Sequence, residues 1–114
     1  PTGKGVKDNI ITFNGVNSNA LDMTNIKFMK GTDNLTIVGF SGVGLKTYYW
    51  QQHNNVNVNV CGIGILSGGD GSINNPIIAF CKTGLQIGDA TNIGSTDRIN
   101  NLRIEWCEEY GIKR

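Results

Sequence analysis

The chain has 114 residues, room for one domain with a modest core, of which 39% are hydrophobic and only 17% charged. Ten Lys and Arg against nine Asp and Glu leave a net charge of +1, which gives no electrostatic basis for nucleic acid or an anionic membrane as the main partner. Sixteen glycines and fifteen asparagines are turn formers and poor helix formers, so the composition excludes an α-solenoid and favours many short strands.

In chain order, Pro1-Thr-Gly-Lys-Gly carries neither an apolar signal core nor a small-residue cleavage pattern. No signal peptide is expected, and Pro1 reads as an internal cut. No stretch approaches the roughly 18 apolar residues of a membrane helix. Residues 1–33 read as an irregular lead-in coil, with short strands at Ile10–Phe13, Ala20–Met23 and Ile26–Met29 separated by Asn- and Gly-containing turns.

From residue 34 the chain repeats itself. Asn34-Leu-Thr-Ile-Val-Gly-Phe40, Asn55-Val-Asn-Val-Asn-Val-Cys61, Asn75-Pro-Ile-Ile-Ala-Phe-Cys81 and Asn101-Leu-Arg-Ile-Glu-Trp-Cys107 align without gaps. Asp33, Asn54, Asn74 and Asn100 precede the leading asparagines, which lie 21, 20 and 26 residues apart. Three residues on comes a β-branched side chain (Ile37, Val58, Ile78, Ile104), and six residues on comes Phe40 or a cysteine. A Gly-aliphatic pair then opens a second strand: Gly44-Leu45, Gly64-Ile65, Gly84-Leu85, Gly111-Ile112. Period-two alternation with Asn or Gly at each corner predicts a parallel β-helix over 34–114, with coils about 4.8 Å apart. Ile37, Val58, Ile78 and Ile104 are expected in one interior stack and Leu45, Ile65, Leu85 and Ile112 in another. The corner asparagines are expected to tolerate left-handed backbone and to hydrogen-bond from coil to coil. The last coil stops at Arg114, thirteen residues after Asn101, so a fragment of a longer chain, or a piece stabilised by partners, is expected.

The segments Asn34 to Leu45 and Asn75 to Leu85, with the Cys61/Cys81/Cys107 column, resemble the pectin-lyase-like right-handed β-helix superfamily. Within it, the Asn and Gly content and the irregular lead-in resemble bacteriophage tailspikes and related tail appendages. The likeness spans roughly residues 20–114 and is one of repeat pattern, with no motif particular to one protein. It implies an all-β, right-handed parallel β-helix of about four to five coils of 20–26 residues. It also implies an elongated homotrimer on the virion surface, assembled in the bacterial host cytoplasm, that binds a bacterial surface polysaccharide. The complete protein would then depolymerise that polysaccharide. Cellular polysaccharide lyases and hydrolases share the fold, and a non-catalytic structural stalk is a third reading; fold alone does not choose. No cofactor is implied.

Cleavage of a glycosidic bond typically takes two carboxylates flanking it. Asp70 and Asp89 fall 15 and 14 residues after their coil asparagines, which places them on one edge of adjacent coils. As Asp-Gly and Gly-Asp they are also ordinary turn residues. Glu105 points outward if Ile104 and Trp106 point inward, and with Glu108 and Glu109 it forms the densest acidic cluster, catalytic or simply a solvated corner. Asp70, Asp89 and Glu105 are the catalytic candidates. Tyr48-Tyr49-Trp50-Gln51-Gln52-His53 lies in the loop region between the first two clear coils. Aromatic faces beside amides suit sugar rings, which makes Tyr49, Trp50 and Gln52 carbohydrate-binding candidates; the alternative is packing in the interior or at a subunit contact. His53 has no Cys, Ser or Asp beside it in the repeat columns. The cysteines are expected to form a buried stack of reduced thiols under Phe40, without metal-site spacing. Gly68-Gly69-Asp70-Gly71 lacks the Lys-Ser/Thr and the helix that a phosphate loop needs.

Overall fold

A computed structural model describes residues 6–7, 10–12, 19–23, 31–47, 51–68, 71–88 and 98–113. Among them every regular element is a strand: β1 (Val6–Lys7), β2 (Ile10–Thr12), β3 (Leu21–Asp22), β4 (Gly31–Val38), β5 (Val43–Lys46), β6 (Gln52–Asn59), β7 (Ile63–Ser67), β8 (Ser72–Asn74), β9 (Ile77–Ala79), β10 (Thr83–Ile87), β11 (Arg98–Asn100), β12 (Arg103–Glu105) and β13 (Tyr110–Lys113). Every pairing between them is parallel, and from β4 onward each strand lies against its counterpart one repeat away. The protein is therefore all-β, with two parallel sheets and a solenoid-like stacking of repeats. One sheet holds β1, β2, β4, β6, β8, β9, β11 and β12; the other runs β3-β5-β7-β10-β13.

Register follows the repeat residue for residue. Ile11, Ile37, Val58, Ile78 and Ile104 share one row across the first sheet. Leu21, Leu45, Ile65, Leu85 and Ile112 share a row across the second. Ile37, Val58, Ile78, Leu45 and Ile65 are wholly buried in one continuous core. Each contributes about 1.5–3 kcal/mol through removal from water. Close approach of the sheets explains the invariant glycine of the second strand. A Cβ on Gly64 would sit 2.6 Å from Ile78 Cγ2 and 2.7 Å from the Gly84 carbonyl oxygen. The β-branched row of one sheet fills the space that a side chain there would need.

The leading asparagines adopt left-handed backbone, with φ of 53° at Asn34, 56° at Asn55, 56° at Asn75 and 57° at Asn101. Asparagine tolerates this conformation better than other non-glycine residues. Their side chains form a ladder in which each Nδ2 donates to the Oδ1 one repeat earlier: Asn55 to Asn34 at 3.0 Å, Asn75 to Asn55 at 3.2 Å, Asn101 to Asn75 at 2.9 Å. A second ladder runs beside it through Asn100, Asn74 and Asn54, and ends on the Asp33 carboxylate. An acceptor-only group suits that position, because every amide in the ladder donates in the same direction.

Three expectations change. The strands begin before the leading asparagine, so β4 and β6 run through it and Thr32, His53, Ile73 and Ile99 form a further register row. His53, expected in a loop, is a buried strand residue there. Ile112 holds its place in the register, but is 54% exposed because nothing among the described residues stacks beyond β13. Cys107 is half-buried for the same reason, whereas Cys61 and Cys81 are buried. Ile26–Met29 lies outside the described residues.

Candidate functional site

The alternation of each first strand ends five residues after its leading asparagine, where the backbone again turns left-handed: φ is 90° at Gly39, 56° at Val60, 58° at Phe80 and 56° at Trp106. Left-handed backbone costs a non-glycine residue roughly 1–2 kcal/mol and is a genuine outlier for a β-branched or bulky one. The turn puts that residue at the surface while the next, Phe40 or a cysteine, goes in. Val60 is consequently 55% exposed, Phe80 59% and Trp106 74%. The expectation that Trp106 points inward is corrected here, since the left-handed turn at that residue reverses the alternation that would have buried it.

Successive members of this row are tied through the backbone. Gly39 N–H donates to the Asn59 carbonyl at 3.0 Å, Val60 N–H to Ala79 at 3.1 Å and Phe80 N–H to Glu105 at 3.2 Å. Val60, Phe80 and Trp106 thus stand one repeat apart in a ridge on the surface. Beside the ridge runs an open groove of about 420 Å³ lined by Gly39 to Ser41, Val60 to Gly62, Phe80, Lys82 and Glu108. Its lining combines apolar side chains with a hydroxyl, an ammonium and a carboxylate. The Lys82 ammonium lies 3.9 Å from the Glu109 carboxylate, both largely exposed.

The residues singled out from the sequence are not brought together by the described parts of the molecule. Asp70, Asp89, Tyr49 and Trp50 lie outside the described residues, as does Tyr48. Gln52 opens β6 as an exposed side chain. Glu105 is half-buried on β12, with its carboxylate paired to the guanidinium of Arg103 two residues earlier.

His53 is held in a buried polar chain. Its Nδ1 is 2.9 Å from Thr32 Oγ1 and its Nε2 3.0 Å from Gln51 Oε1, while Gln51 Nε2 donates to the Met23 carbonyl at 2.9 Å. Donation from Nε2 to the amide oxygen leaves Nδ1 to accept from the threonine hydroxyl, which is the neutral ring. Burial pushes its pKa down to about 4. Such a residue ties strands together and does not face the groove. In the cysteine row, the Cys61 and Cys81 thiols donate to the Asn59 and Ala79 carbonyls, each at 3.5 Å, and the neighbouring Cys61 side chain together with burial pushes the Cys81 thiol up. Among the described residues no group of three or more His, Cys, Asp or Glu side chains could hold a metal ion.

The ridge was missed in the sequence, although a signal is present. Val60-Cys61, Phe80-Cys81 and Trp106-Cys107 are apolar pairs where strict alternation allows only one inward residue. One member of each pair therefore has to face water. Comparison of the chain with protein-family models, with curated proteins and with solved structures finds no match.

Proposed function

We propose that this chain is a run of coils from a right-handed parallel β-helix, belonging to a bacteriophage tailspike or tail appendage, and that it binds a bacterial surface polysaccharide along the Val60–Phe80–Trp106 ridge. In the complete protein this surface serves a homotrimer on the virion, assembled in the host cytoplasm, that depolymerises the bound polysaccharide. The observation that carries the reading is the exposed apolar ridge beside a groove with a polar rim. Aromatic faces take the apolar faces of pyranose rings, and hydroxyl, ammonium and carboxylate groups take the sugar hydroxyls. Strain supports it as well: bulky residues persist in unfavourable backbone conformations mainly where a ligand site needs them.

Titration of the folded chain with bacterial surface polysaccharides by isothermal calorimetry tests the reading. Phe80→Ala and Trp106→Ala together are expected to weaken binding at least tenfold, since base- and sugar-type stacking on one aromatic is worth about 1–3 kcal/mol. Circular dichroism unchanged from the parent shows that the variant is folded. Unchanged affinity in that variant overturns the assignment of the ridge.

A further inference from the structure

We infer that the groove discriminates among glycans by charge, taking neutral or amino-bearing chains and rejecting polyuronates, with Glu108 as the discriminating side chain. The inference rests on the reading of the ridge as a polysaccharide site. The lining residues come from four successive repeats, Gly39 to Ser41, Val60 to Gly62, Phe80 with Lys82, and Glu108. Three repeat steps amount to about 14 Å, so the groove's long direction follows the stacking of the repeats and exceeds one sugar ring.

Charge at the groove is set by Lys82, Glu108 and Glu109. Lys82 has the Glu109 carboxylate 3.9 Å from its ammonium, an exposed pair, so two carboxylates stand against one ammonium at this end of the groove. Glu108 has no ion-pair partner among the described residues, and its backbone N–H is fixed to the Cys81 carbonyl at 2.9 Å. Lys82, Glu108 and Glu109 together leave an excess of one negative charge at the groove. A uronate stacked on Phe80 brings a further carboxylate towards Glu108, whereas an amino sugar brings a cation and a neutral hexose a hydroxyl donor. Screening by solvent keeps the contact modest.

The test is an array of bacterial surface polysaccharides with neutral, amino-bearing and uronate-bearing repeats, probed with the parent chain, Glu108→Gln and Asp22→Asn. Asp22 pairs with Lys46 away from the groove, at 3.8 Å, and its variant makes the same change in net charge. Expected is binding to neutral or amino-bearing members by the parent, and a gain of about 2-fold to 5-fold for uronate-bearing members in Glu108→Gln alone, the range of one exposed charge contact. Preference of the parent for uronates, or equal shifts in Glu108→Gln and Asp22→Asn, overturns the charge inference and leaves the polysaccharide reading standing. Absence of binding to every member overturns both.

Discussion

Two rows of residues in this molecule share one backbone conformation and differ in everything else. At the leading corners, φ of 53° to 57° is occupied by asparagine, whose amides close ladders from repeat to repeat. Five residues later, φ of 56° to 58° is occupied by valine, phenylalanine and tryptophan, whose side chains stand in solvent. The first row places a tolerant residue where the fold needs a bend and recovers hydrogen bonds from it. The second places intolerant residues in the same bend and recovers little inside the chain. Gly39, with φ of 90°, shows that a residue without a side chain also serves that position. The difference teaches how to separate a corner made for folding from a corner made for something outside the molecule.

Exchanging the chemistry of the two rows should therefore have opposite effects. Asn75→Val removes two ladder hydrogen bonds and forces a β-branched residue into left-handed backbone, for an expected loss of about 2–5 kcal/mol in urea unfolding. A loss under about 0.5 kcal/mol would show that the ladder is incidental. Acid probes the interior without touching either row. His53 titrates near 6.5 when unfolded but is held down to about 4 when folded, so below pH 6.5 the unfolded chain binds the extra proton. Stability is full above pH 6.5 and falls progressively as the pH drops to about 4, by about 3 kcal/mol. His53→Ile, copying Ile73 one repeat on, should flatten that slope in urea midpoints measured between pH 7 and 4.

Smaller effects sharpen the contrast. Val60→Asn puts the corner's residue into the ridge and is expected to stabilise by about 1 kcal/mol, again by urea unfolding. A destabilisation would mean that Val60 packs better than its exposure implies. Thiol counting reads the end of the stack: Ellman's reagent should find about one reactive thiol per native chain, at half-buried Cys107, and three in denaturant. That replaces the expectation of three protected thiols, which followed from the shared column of the three cysteines.

Most of the architecture was legible because it is written in repeated columns. The Ile37–Val58–Ile78 row, the Leu45–Ile65–Leu85 row and the asparagine corners each follow from spacing, since stacked repeats bring equal positions together. What spacing hid was local. Gln52 and His53 read as loop because the neighbouring Tyr48–Gln51 stretch is polar and aromatic, yet His53 is held inside by Thr32 and Gln51. The ridge escaped because strict alternation from Ile104 puts Trp106 inside, and the left-handed backbone at that residue breaks the alternation. Among the candidate site residues, Glu105 proved to be engaged by Arg103, a partner two residues away that alternation places on the same face.

The ridge as a surface retained at the expense of stability is the central claim, and Phe80→Asn tests it most directly when urea midpoint and polysaccharide affinity are measured on the same preparation. The account predicts a midpoint equal to or above that of the parent together with lost affinity. A lowered midpoint with affinity intact would contradict it, and would make Phe80 a packing residue of the fold.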